Sequence, residues 1–258
     1  MANTRPYTEA HAVAWVDIAL FLDGKLSADQ RDDLRAAFKT ALEAEGFVAG
    51  KSRDKSAVTF KRNGIAGEVV DELHIHETFV HIKSNEYRGW TFTRDMAIKR
   101  FGPLFARLKN GRIKVSGIGL AYRDAFLCDT PKNYDVSDVF RLENRFLPAA
   151  VLTSGNRWKQ EVSLPGGAFA DNPLKISTTL TIEAKVTSSD DEEAVSRELH
   201  ATEITHSLTI RWNKSAASVV KWSEIRFRNL LDSLHQQNKS VLLELLSEEM
   251  IDKIGLKE

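Results

Sequence analysis

Residues 176–186, ISTTLTIEAKV, place Ile176, Leu180, Ile182, Ala184 and Val186 on one face of an extended chain and polar residues on the other. Residues 199–212 repeat the pattern with Ile204, Leu208, Ile210 and Trp212. A period of two with one apolar side defines strands of an antiparallel sheet that packs one face and wets the other. No other stretch constrains the fold so tightly. The acidic run TSSDDEEAVSRE at 187–198 has no apolar periodicity and reads as an exposed hairpin loop between them. A helix over about 218–246, with Phe227, Leu231, Leu234, Val241 and Leu245 on one stripe, is the cover this sheet needs, and Ser247 can cap a short final helix.

The first half mixes both periods. Residues 11–22, HAVAWVDIALFL, read as a strand packed against helices. Ser27 and Gln30 have capping-box spacing before a helix over 28–45, and Gly46 follows it as a helix-ending glycine. Strands near 56–62 and over 69–83, separated by NGIAG, form a hairpin. A helix capped by Thr93 carries Ile98, Phe101, Leu104, Phe105 and Leu108, and Pro103 kinks or divides it. A strand over 112–123 follows, with a bulge or close backbone contact expected at Gly117 and Gly119. The order strand, helix, strand, strand, helix, strand is that of a ferredoxin-like βαββαβ half. The chain is thus expected to be α+β: a ferredoxin-like half over 1–128, a connector over 129–156, and an antiparallel sheet with carboxy-terminal helices over 157–258.

Three stretches carry a resemblance: YRGWTF at 87–92, GRIKVSGIGLAYRDAF at 111–126, and LLDSLHQQNKSVLLELLSEEMIDKIG at 230–255. In order and spacing they resemble a sporadically distributed, uncharacterised bacterial family of about this length. That family has a Gly-Trp before a helix, a strand reading Arg-Ile-Gly-Leu-Arg-Tyr-Ile-Asn, and a Leu-His helix near the carboxy terminus. The chain departs from the pattern at Ala121, where the family has arginine, and at Asp124, where it has asparagine. The resemblance implies a bacterial protein from defence-associated or mobile gene islands, and it assigns no catalytic residue.

Chemistry is sparse. The 258-residue chain has one cysteine, Cys128, which excludes an internal disulfide and a Cys-rich zinc site; an inert, buried thiol is expected. No hydrolase serine elbow, His-Glu-x-x-His, phosphate-binding loop or dinucleotide fingerprint is present, so no cofactor is expected. No run approaches a membrane span and no signal peptide opens the chain, which points to the cytoplasm; the oligomeric state is open, a homodimer included. Residues 72–81, ELHIHETFVH, hold three of the seven histidines. In a strand Glu72, His74 and His76 would share a face, the raw material of a two-histidine, one-carboxylate metal site. Ligands normally come from separate elements, so the expectation is no metal, with a metal-dependent hydrolase on those three residues as the alternative. His200 and His206 share a face of a later strand and could join a composite site.

Charge gives the most localised signal. The net charge is zero, yet residues 88–123 contain nine basic side chains against the single acid Asp95. Arg94, Lys99, Arg100, Arg107, Arg112 and Lys114, with Trp90 and Tyr122 for stacking, make a candidate surface for an acidic partner, either a protein or a nucleic acid. Helical spacing puts Lys99, Arg100 and Arg107 opposite the apolar stripe, facing solvent. The expected role is therefore a non-enzymatic binding or regulatory protein that meets its partner there.

Overall fold

Every strand pairing among the described residues is antiparallel, and all the strands join one ten-stranded sheet. The computed structural model describes residues 4–8, 11–50, 57–164, 176–188, 198–212 and 222–257. The strands are β1 (Thr4–Pro6), β2 (Val13–Leu22), β3 (Val48–Gly50), β4 (Val58–Asn63), β5 (Val69–Ile75), β6 (Phe79–Ser84), β7 (Val115–Cys128), β8 (Trp158–Leu164), β9 (Ile176–Ser188) and β10 (Glu198–Arg211). Their order across the sheet is β3-β4-β5-β6-β2-β7-β10-β9-β8, with β1 added against the end of β7. The helices are α1 (Ala28–Glu43), α2 (Trp90–Arg100), α3 (Gly102–Lys109), α4 (Ala149–Leu152), α5 (Glu224–Leu245) and α6 (Glu248–Lys253). None of the described helices is long and apolar enough to cross a membrane. Most of the acidic run, 189–197, lies outside the described residues, as does the expected start of the long helix, 218–221.

The α+β class holds. Here β2 runs antiparallel to both of its neighbours, β6 and β7. The strand expected over 69–83 is two strands, turned at Glu77-Thr78, where the His76 N–H donates to the Phe79 carbonyl at 2.9 Å.

Helix boundaries follow their sequence signals. Ser27 and Gln30 form the reciprocal capping box of α1, and Ser247 caps α6. Pro103 falls in the first turn of α3, where its missing N–H costs nothing, so the expected helix divides at Phe101. Thr93 does not cap; it is buried inside α2, which starts at Trp90 behind Gly89 at φ +91°. At Gly117 a side chain would lie 2.6 Å from the Ile210 carbonyl, so the close backbone approach is real and the position must stay bare.

The expected halves share the sheet, because β7 and β10 pair without a break from Gly117 with Arg211 to Cys128 with His200. The connector also packs: Val136, Val139, Phe140 and Phe146 are buried with Leu180, Ile182 and Val241. A first apolar cluster lies under α1, α2, α3 and the first half of α5, and a second lies under the rest of α5 and α6. Between them runs a buried polar seam of Tyr122 and Asp124 on β7, His206 on β10, and Gln237 and Asn238 on α5. The opposite sheet face is wet, carrying Glu72, His74, Asp17, His81, Lys83, Arg123 and Glu203 at half-buried positions.

Candidate functional site

Two clusters bring titratable groups together. The first is on the wet face. Register pairs His74 of β5 with His81 of β6, and His76 follows two residues after His74 at the end of β5. One ligand atom from each of the three histidines lies within 4.8 Å of the others. The rings of His74 and His81 stack at 4.6 Å, and that of His76 stacks on Phe79 at 4.1 Å. His81 Nδ1 is held by the Asp17 carboxylate at 2.8 Å and 3.0 Å, and His74 Nδ1 by the Thr59 hydroxyl at 3.1 Å. Both side chains are therefore oriented through Nδ1, and the Nε2 of His74 faces the Glu72 carboxylate. Burial, then the neighbouring His81 and His76, hold His74 below its usual pKa despite the Glu72 charge, which favours the neutral imidazole that a metal needs.

Glu72 shares the face as expected but is otherwise engaged. Its carboxylate accepts from Lys61 Nζ at 2.8 Å and stands 3.7 Å from His74 Nε2. Burial pushes its pKa up, but Lys61 outweighs it and holds the group ionised below the ordinary value. The third member of the cluster is thus His81 rather than Glu72. Sequence reasoning weighed one strand and missed the partner across the turn. His200 and His206 stay apart from it, pointing to the helix-covered face: His200 stacks on Tyr134 at 3.5 Å, and His206 Nδ1 meets Asn238 Oδ1 at 2.6 Å.

The second cluster sits in the polar seam. The Tyr122 hydroxyl lies 3.0 Å from His235 Nδ1, and Trp90 stacks on the His235 ring at 4.3 Å with planes 8° apart. Burial lowers the His235 pKa to about 4, so the imidazole that meets the Tyr122 hydroxyl is neutral. One turn back on α5, Asp232 accepts from Trp90 Nε1 at 2.7 Å and from Arg94 at 3.1 Å. The Gly-Trp, the strand tyrosine and the Leu-His that carried the sequence resemblance therefore meet at one point. Beside them Asp124 is 3% exposed, its Oδ2 has no hydrogen-bond partner, and burial pushes its pKa up to about 7. A cavity of about 170 Å³ opens there between β7 and α5.

The basic residues do not gather into one free surface. Arg100 was expected to face solvent; it is 6% exposed and binds Asp71 at 2.9 Å and Glu45 at 3.0 Å. Arg100 falls on the same buried stripe of α2 as Thr93 and Ala97, so it turns inward onto the buried Asp71. Tyr122 is likewise buried and unavailable to a partner. Lys99 pairs with Glu45, Arg107 with Asp33, and Arg94 with Asp232. Arg112 and Lys114 stay exposed, in the turn that precedes β7 rather than in the strand. The local excess of basic residues is largely matched by acids that the fold imports from α1, β5 and α5. Cys128 is buried, as expected of an inert thiol.

Comparison of the chain with protein-family models and with curated proteins finds no match.

Proposed function

We propose that this protein binds a divalent transition metal of the zinc type through His74, His76 and His81. The observation that carries the reading is the pairing of oriented ligands across two strands: a His-x-His on one, a histidine opposite on the next, and Nδ1 of two of them tied to Asp17 and Thr59. The expectation against a metal rested on all ligands lying in one strand, and that ground does not apply to this trio. Nitrogens around a tetrahedral zinc stand about 3.3 Å apart, given Zn–N bonds near 2.0–2.1 Å. The 4.8 Å spread is wider, so binding would close the three rings by side-chain rotation.

Three neutral donors leave the charge of the ion intact and one position open to the wet sheet face, which is the arrangement of catalytic rather than structural zinc. The chemistry it supports is Lewis-acid assistance to hydrolysis. Contact with an acidic partner through residues 88–123 has less support, since Arg94, Arg100 and Arg107 are committed to acids of the same chain.

Metal analysis of protein purified without an affinity tag, after exposure to zinc and dialysis, tests the proposal. One equivalent per chain is expected, lost when His74 and His81 are both changed to alanine. Zinc content far below one, or the same content in the double variant, would sink it.

A further inference from the structure

The cavity in the polar seam calls for an account independent of the histidine trio. Two acids are buried in the described residues, and they are treated differently. Asp71 is gripped by Arg62 at 2.8 Å and Arg100 at 2.9 Å. Asp124 makes no ion pair among the described residues; one oxygen of each carboxyl, Asp71 Oδ1 and Asp124 Oδ2, is without a hydrogen-bond partner, but only Asp124 lacks a cation in contact. An unpaired buried carboxyl is costly to a fold, and such groups mark places where something is bound. The space for an occupant is there. Tyr87, Tyr122 and His235 bring aromatic rings to the cavity, Leu242 and Leu256 add apolar wall, and His11 contributes an Nδ1 that also lacks a partner.

We propose that this cavity is a binding site for a small organic ammonium ion, whose N–H groups donate to Asp124 and whose alkyl part lies among the rings. A charged donor supplies what Asp124 lacks, and aromatic faces attract a cation while excluding water. Size agrees: about 170 Å³ holds a short alkyl chain and no more than a fragment of a larger ligand. An anion is disfavoured by Asp124 itself, and a purely apolar ligand would leave Oδ2 unpaired. The charged and titratable groups that line the cavity with the carboxyl are Tyr87 and Tyr122, both held neutral chiefly by burial, His11 and His235, whose pKa values burial lowers, and Lys239 on α5. Lys239 is the one resident cation among the lining residues and so the natural competitor.

The probe is n-butylammonium, set against n-butanol as a neutral analogue of the same shape, with binding read by thermal shift and calorimetry at pH 8. Saturable binding of the ammonium is expected, with butanol weaker by about tenfold or more, the effect of losing one charge-assisted hydrogen bond. Asp124→Asn should abolish this preference, and Lys239→Met, at a half-buried helix position, should tighten ammonium binding. A carboxyl ¹³C signal from Asp124 should titrate at lower pH when the ammonium is present. Equal binding of the two probes, no binding of either, undiminished ammonium binding in folded Asp124→Asn, or unchanged or weaker binding in Lys239→Met would each overturn the proposal.

Discussion

Replacing Asp124 by asparagine is expected to stabilise the ligand-free protein, and to do so more strongly as pH rises. Asp124 is 3% exposed and burial pushes its pKa up to about 7, whereas an aspartate in the unfolded chain titrates near 3.9. The folded pKa is the higher one, so the folded state holds its proton longer than the unfolded state. The contribution to stability is complete below the unfolded value and is lost as pH rises toward 7. Three pKa units correspond to about 4 kcal/mol at pH 8, while at pH 5 the loss has reached only about 1.5 kcal/mol. Asparagine has nearly the same shape and does not titrate. The stability difference between variant and wild type should therefore widen by about 2.5 kcal/mol from pH 5 to pH 8, since other titrating groups cancel in the subtraction. Urea unfolding followed by circular dichroism at pH 5, 6.5 and 8, at one ionic strength, measures it. A difference that stays flat across this range would refute the reasoning, because it would mean that Asp124 ionises as readily in the folded protein as in the unfolded one.

His206 behaves in the opposite sense on acidification: burial holds its folded pKa down at about 4, so its contribution is present above about 6.5 and lost below, about 2 kcal/mol by pH 5, and His206→Gln should flatten acid unfolding between pH 6.5 and 5. Changing Arg100 to methionine strands Asp71 among the remaining groups and should cost about 3–5 kcal/mol in chemical unfolding, where an exposed arginine would cost little. Gly117→Val should be destabilising by about 1–3 kcal/mol or more, because the new side chain meets the Ile210 carbonyl, and a thermal melt will show it. If the histidine trio holds zinc, Asp17→Asn should weaken the metal about 10- to 100-fold in a competition titration while leaving the fold unchanged.

Periodicity alone settled much of this chain. The alternation at 176–186 and 199–212 defined β9 and β10 and their wet face, because a period of two is a property of the extended backbone whatever surrounds it. Capping at Ser27 and Ser247 and the division at Pro103 were equally local, since side chain and backbone there lie within one turn. The turn at Glu77-Thr78 was missed by the expected single strand over 69–83, although apolar positions change there from odd, at Leu73 and Ile75, to even, at Val80 and Ile82, a change of phase that a continuous strand cannot make. Only tertiary structure decided the rest. Which acid neutralises a cation depends on residues far apart in sequence, and Arg100 finds Asp71 and Glu45 that way, so counting charges in 88–123 could not reveal a surface. His81 joins His74 through strand register, which no spacing rule contains. Asp124 is an ordinary aspartate until Tyr122, His235 and α5 exclude water from it, and that exclusion, which raises its pKa, belongs to the packed fold alone.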